Sequence, residues 1–247
     1  MFCIITKRHV AMLLGLMLFV ILFSSILWNG AVQPAFQQQS ASSRPSVVII
    51  DPGHGGEDGG AVAADGTVES GINLSIALKV EELLFLMGQE TEMTRREDIS
   101  IYSQGAETLR EKKVSDLHNR VDLVNGMGEG TVLLSIHQNS LPQAKSVHGA
   151  QVFYNDFPAA ETLAASIQQS LNQSANQGGE KAYKSVDSSV YLMAHIHCPG
   201  VLVECGFLSN MEESALLQTE EYQRKLALSV TAGYLAGSAA LYEEGTA

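Results

Sequence analysis

Basic residues are scarce in this chain: 15 Lys and Arg stand against 27 Asp and Glu over 247 residues, a formal net charge of −12. Three of them, Lys7, Arg8 and Arg44, lie in the first 45 positions, which contain no acid, so the remainder carries 12 basic against 27 acidic residues. A nucleic-acid binder needs a basic face to displace counterions, and that class is excluded. An anionic substrate must be held by local contacts, because long-range attraction is missing. Cysteine is scarcer still, with Cys3, Cys198 and Cys205 alone. Cys198 and Cys205 could bridge in an oxidising compartment, and two buried free thiols are the alternative. There is no internal repeat. The glycine-rich run GHGGEDGG at 53–60 lacks both the G-x-G-x-x-G spacing and a Walker lysine, and its Glu57-Asp58 pair would repel phosphate, which excludes a nucleotide cradle.

Charge is also missing from the 19 residues Val10 to Trp28, where Ser24 and Ser25 are the strongly polar positions and Lys7 and Arg8 precede. At about 1.5 Å per helical residue the run nearly spans a hydrocarbon core of roughly 30 Å. The positive flank places its N-terminus inside and the rest of the chain outside. We read residues 1–28 as an apolar helix serving as a retained signal-anchor, with a cleaved signal peptide as the alternative. Both readings put the body outside the cytoplasm, membrane-anchored or secreted. Residues 29–45, rich in Gln and Ser with no apolar period, read as a flexible linker reaching on the order of 25 Å.

The character changes at Ser46. Val47-Val48-Ile49-Ile50 is a β-branched run of the kind buried on both faces of a sheet, ended by Asp51-Pro52-Gly53. Ile72, Ile76, Val80, Leu83, Leu84 and Met87 follow at helical spacing, with Gly88 as a stop. Glu90 to Arg95 is a short second strand. Val114, Leu117, Val121 and Val124 mark a helix ending at Asn125-Gly126. Thr131 to Ile136 and Gly149 to Tyr154 are strands; Leu163, Ile167 and Leu171 mark a helix. Val190 to Met193 and Val201 to Val203 are further strands, and a long helix runs from about Glu220 to Leu241. Strands alternating with helices predict one α/β domain over 46–241, with a largely parallel sheet covered on both faces. Residues 242–247 form a tail, and no wall-binding module is expected after Leu241.

Chemistry concentrates at strand ends. His54 sits in the glycine-rich loop, Glu69 opens the first helix, His137 follows the strand TVLLSI and Glu204 follows VLV. Two imidazoles and one carboxylate suit a catalytic zinc ion that keeps a position for water. His54, Glu69 and His137 are the candidate ligands, and Glu204 the carboxylate that moves a proton. Each has a plainer reading: His54 a turn residue, Glu69 a first-turn glutamate favoured by the helix dipole, His137 a hydrogen-bonded edge residue. Glu204 is the hardest to dismiss, since an unpaired carboxylate beside a buried strand is costly. His195, His197, Cys198 and Cys205 are a weaker second metal-binding candidate, interrupted by the Cys198-Pro199-Gly200 turn. His118 and His148 read as surface residues.

IIDPGHGG, Glu69 at a helix start, SIHQNS and VLVECGFLSN before a late helix together resemble the zinc-dependent N-acetylmuramoyl-L-alanine amidases (amidase type 3) of the bacterial cell wall. The resemblance covers Ser46 to Leu241 and extends to Thr94-Arg95 and to Leu117, Arg120, Val124 and Asn125. It implies a twisted, mostly parallel sheet of about six strands with helices on both sides, Zn2+ on His54, Glu69 and His137, and Glu204 as the catalytic group. Many members carry Ala after the second histidine, where this chain has Gln138. The anchor, the single domain and VECGFLSN are most similar to the sporulation type, which prepares spore cortex for germination. That implies a peptidoglycan glycan strand with its stem peptides as substrate, a muramic acid deacetylase as functional partner, and a place at the forespore cortex. A membrane-tethered scaffold that binds peptidoglycan without cutting it, and a zinc peptidase acting on wall peptides, are the competing expectations.

Overall fold

Val48, Ile49 and Ile50 have no exposed surface, as a strand covered on both faces requires. They belong to β1 (Val47–Pro52) in the computed structural model, which describes residues 47–176 and 178–244. The chain continues through α1 (Glu69–Leu86), β2 (Thr91–Met93), α2 (Leu109–Gly126), β3 (Thr131–Asn139), β4 (Gln151–Tyr154), α3 (Pro158–Ser174), β5 (Lys184–Ser185), α4 (Tyr191–His195), β6 (Gly200–Phe207), α5 (Met211–Leu217) and α6 (Glu220–Glu244). The sheet order is β2-β1-β3-β6-β4-β5. The first four strands are mutually parallel, while β4 runs antiparallel to β6 and β5 follows β4. This is the expected single α/β domain with a six-stranded, mostly parallel sheet.

Local chemistry explains the helix starts. Thr108 and Glu111 close a capping box that begins α2, satisfying otherwise orphaned backbone donors. Pro158 opens α3, where its fixed φ suits the first turn. On one face of the sheet Ile72, Ile76 and Val80 of α1 share a core with Leu163 and Ile167 of α3 and Leu226 and Val230 of α6. On the other, Val121 and Val124 of α2 and Leu192 and Met193 of α4 cover Ile49, Leu133 and Leu202. Each fully buried aliphatic side chain contributes about 1.5–3 kcal/mol. Helices on both faces thus bury the central strands β1, β3 and β6, while the two-residue edge strand β5 stays exposed.

Three details differ from the sequence reading, and one open alternative is decided. The stretch expected as a strand at Val190 to Met193 begins α4, because a short apolar run has no period of its own and the buried pair Leu192 and Met193 packs on α2 as a helical turn. The helix α5, capped by Asn210 accepting from the Glu213 amide, and the two-residue β5 carried no apolar signal. Helix α6 runs past Leu241 to Glu244. Cys198 and Cys205 are free and buried; the five steps from Gly200 to Cys205 span roughly 17 Å along β6, of which two preceding residues can recover only about 7 Å, too little for a bridge. The expected apolar N-terminal helix and the whole of the expected linker lie outside the described residues. Among those described, no helix is long and apolar enough to cross a membrane.

From β1 the chain passes to β2 on one side and then to β3 on the other. The C-terminal ends of β1 and β3 therefore flank a crevice, the usual ligand position in such sheets.

Candidate metal centre

His54 emerges from β1 into that crevice with φ at 60°, the one non-glycine residue of positive φ among the described residues. A left-handed residue with a β-carbon costs about 1–2 kcal/mol, so it must be held. Arg120 Nη2 donates to the His54 carbonyl at 2.7 Å, and Asp58 Oδ2 lies 2.9 Å from His54 Nδ1. Asp58 also pairs with Lys113 at 2.7 Å. Burial pushes the Asp58 carboxyl up, but the bonds to His54 and Lys113 outweigh it and hold it well below the usual range.

Two buried arginines fix the loop backbone. Arg95 donates to the carbonyls of Pro52 at 2.9 Å, Gly53 at 3.0 Å and Ser70 at 3.0 Å, tying the loop to the first turn of α1. Burial and the adjacent Arg120 lower its pKa to about 10. Arg120 bonds Asp51, Asp116 at 2.7 Å and the Pro52 carbonyl at 3.0 Å. Asp51 also accepts from Thr94 at 2.7 Å and Ser135 at 2.8 Å. Burial would raise the Asp51 carboxyl; Arg120 and these hydroxyls instead hold it at about 2.

Glu69 is the first residue of α1 and only 3% exposed. Its Oε1 accepts from the Gln138 amide at 3.0 Å and from Asn73 Nδ2 at 3.1 Å, and Oε2 accepts from the Ala61 amide at 2.8 Å. Burial opposes the anion, but the His137 ring, 3.0 Å away at Nδ1, helps hold its pKa at about 2. The same carboxylate raises the pKa of His137 against the effect of burial. His137 and Glu204 are in-register neighbours on β3 and β6, just before the ladder shifts between His137 and Asn139. Such bulges re-aim side chains beside sites. Backbone closeness matters at two glycines: a Cβ on Gly53 would stand 2.1 Å from His137 Cε1, and one on Gly60 2.6 Å from Glu69 Oε2.

The structure thus brings together residues from three distant points. One donor atom from each of His54, Glu69 and His137 lies within 4.8 Å of the others, and this is the one such group among the described residues. Zinc bonds of about 2.0–2.1 Å in a tetrahedral set place donors roughly 3.3 Å apart. Glu69 Oε1 is 3.0 Å from His137 Nδ1 and 3.5 Å from His54 Nε2, which brackets that value. Glu204 faces the same cleft with its Oε2 buried and without a hydrogen-bond partner. Burial pushes its carboxyl up to about 7, with the His137 ring opposing and Glu69 reinforcing. A paired set of donors beside an unsatisfied carboxyl can hold a cation and exchange a proton next to it.

Other candidates do not assemble. His195 and His197 are exposed at the end of α4 and just after it, while Cys198 and Cys205 are buried. Burial raises the Cys198 thiol to about 11 and Cys205 further. His118 and His148 are exposed, as expected. The sequence reading takes Asp58 only as part of an acidic pair that repels phosphate and gives Asn73 no part in the site. Both stand four residues after a site residue, His54 and Glu69, and for Asn73 on a helix that spacing is a usable signal. Gln138, left without a role, donates through its backbone to Glu69 and through Nε2 to Asn73 at 3.1 Å.

The model of the N-acetylmuramoyl-L-alanine amidase family matches residues 48–235. The chain belongs to this family. The amidase is 32% identical over 228 residues to the germination-specific N-acetylmuramoyl-L-alanine amidase of Bacillus subtilis strain 168, covering 92% of this chain and 93% of that one. Its fold is similar to the CwlD amidase of Clostridioides difficile, solved in complex with the GerS lipoprotein: TM-score 0.75, 35% identity, 79% of this chain and 99% of that chain. It is also similar to an N-acetylmuramoyl-L-alanine amidase of Clostridium difficile 630, with TM-score 0.66 and 26% identity over 78% of this chain and 97% of that chain.

Proposed function

We propose that this amidase hydrolyses the amide between the lactyl carbonyl of N-acetylmuramic acid and L-alanine in peptidoglycan, with Zn2+ held by His54, Glu69 and His137. The observation that carries the reading is their convergence within 4.8 Å beside the partnerless Oε2 of Glu204. A bound zinc ion supplies Lewis-acid polarisation and acidifies water, from a pKa of roughly 15.7 to about 7. Glu204 takes a proton at its carboxylate as water attacks and returns it to the departing L-alanine nitrogen. Burial of the Glu204 carboxyl raises its pKa above the ordinary range in the metal-free site, which makes it the better proton acceptor as attack begins. Glu69 stays anionic throughout, and its backbone and Asn73 bonds keep it from turning. Asp58 holds the His54 ring through Nδ1.

The germination-specific relative supports spore cortex as the setting, outside the cytoplasm. Removing the stem peptide leaves a free lactyl carboxyl on the sugar. A deacetylase that frees the neighbouring 2-amino group completes the chemistry for an internal muramic lactam, and is the functional partner we assign. Residues 1–28 would tether the domain to the membrane.

The test is product identification by mass spectrometry on cortex and vegetative peptidoglycan, with and without a chelator. Stem peptides with a free N-terminal L-alanine are expected, and none after chelation. Glu204→Gln should keep stoichiometric zinc and lose about 10²–10⁴-fold in turnover. Normal digestion by that variant would remove Glu204 from the proton path, and cleavage between amino acids would make the protein a peptidase instead.

A further inference from the structure

The apolar stripe of α2 is only half covered. Val121 and Val124 are buried, whereas Leu117, one turn nearer the N-terminus, is 36% exposed. Leu117 does not face open solvent alone: with Val190 and Tyr191 it lines the cleft of about 390 Å³ that contains His54, His137 and Glu204. The Tyr191 ring is braced by two imidazoles. His195 stacks on it at 3.9 Å between centroids with 21° between planes, and His118 lies at 5.1 Å, tilted by 44°. The turn of α4 is itself pinned, since His195 Nδ1 lies 2.8 Å from the Tyr191 carbonyl and Asn125 bonds the backbone of both His195 and His197. Tyr191 is therefore a preformed aromatic surface on the same cleft as the candidate metal centre.

Charge decides which half of the substrate meets this wall. Among the described residues, the Lys and Arg side chains lining the cleft are Lys113 and Arg120. Both are paired, Lys113 with Asp58 and Arg120 with Asp51 and Asp116. A stem peptide carries carboxylates and, among the described residues, would find no unpaired Lys or Arg lining this cleft to receive them. A pyranose ring presents a face of C–H groups, weakly positive, and complements the negative face of an aromatic ring while its hydroxyls stay wet. We propose that Tyr191, braced by His195 and His118, is a subsite for the ring face of an N-acetylated sugar, so that the glycan strand lies along the α2 and α4 wall. This rests on the muramoyl-amide reaction assigned above.

The zinc-loaded full chain and its Tyr191→Ala, Tyr191→Phe and His195→Ala variants would be compared on peptide-bearing glycan strands, with peptide-free strands and free stem peptide as competitors. Tyr191→Ala should raise KM about tenfold, a loss of about 1.4 kcal/mol, with kcat within about twofold. Tyr191→Phe should retain the wild-type KM, which shows that the ring and not a fold defect is read, and His195→Ala should fall between. Peptide-free strands should inhibit wild type well and Tyr191→Ala about tenfold less, with stem-peptide inhibition equal in both. An unchanged KM and unchanged inhibition by peptide-free strands in Tyr191→Ala would overturn the subsite. So would weakened inhibition by stem peptide alone, which would give the wall to the peptide. If wild type frees no stem peptide while peptide-free strands still bind through Tyr191, the reaction is wrong and the subsite stands.

Discussion

Asp58 is where the loop chemistry can be measured most directly. Asp58→Ala is expected to weaken zinc binding about a hundredfold and Asp58→Asn about tenfold, the span seen when the group that orients a metal-bound histidine is lost. The structure sets where in that span each falls. Asp58 Oδ2 sits 2.9 Å from His54 Nδ1, so alanine removes both the acceptor and the charge, while asparagine keeps an acceptor and removes the charge. Tenfold is about 1.4 kcal/mol, similar to the cost of about 1–2 kcal/mol for the left-handed backbone of His54; without its restraint the residue can relax away from the other ligands. Lys113→Met isolates the outer charge. That lysine is 46% exposed and solvent screens its pair with Asp58, which limits the effect to below about 1 kcal/mol, or a few-fold. Competition with a fluorescent chelator at neutral pH gives the affinities, and 15N chemical shifts of the metal-free protein report the His54 tautomer. Wild-type affinity in a folded Asp58→Ala protein would refute the reasoning.

Acid should destabilise the metal-free protein in a defined way. Asp51 is held at about 2 against an ordinary 3.8, so its contribution of about 2 kcal/mol is complete above pH 4 and is lost as pH falls toward 2. Urea midpoints from neutral pH downward should fall steeply in wild type and less steeply in Asp51→Asn, and equal slopes would count against the buried Arg120 pair as the cause. Gly53→Ala places a methyl 2.1 Å from His137 Cε1 and should cut turnover by about a hundredfold with an intact far-UV spectrum; normal turnover would show that the ring tolerates displacement. Cys198 and Cys205 should react with iodoacetamide only on unfolding, and reductant should leave the melting temperature unchanged. A reductant-sensitive melt would contradict their free state.

How much could be read without coordinates follows from what each signal depends on. Val47 to Ile50, Thr131 to Ile136 and Val201 to Val203 were legible because a strand covered on both faces must be apolar throughout, and Ile72, Ile76 and Val80 because a helix on that sheet must repeat its apolar face. His137 and Glu204 stood out because polar groups at the ends of such strands need a reason to be there, and His54 and Glu69 because a glycine-rich loop and a helix start bring them to the same end. Expectation failed where a residue's role depends on the path of a loop or on a neighbour. Leu192 and Met193 belong to an apolar run too short to reveal its period, and only α2 beneath them decides for a helix. Asp58 is an unremarkable acid until His54 turns left-handed and brings its ring alongside. Leu117 follows the α2 repeat faithfully yet borders the cleft, since among the described residues no element buries that turn of the helix.

The sheet order has a consequence for a protein that cuts wall material. Glu204 lies on the last of the six sheet strands in chain order, yet that strand inserts between β3 and β4 in the middle of the sheet. A chain made only as far as β5 leaves the β3 edge bare and holds His54, Glu69 and His137 without Glu204, the proposed proton carrier. On the proposed assignment the site is therefore completed late, once the segment from Gly200 onward has docked, and an incomplete molecule is blunt.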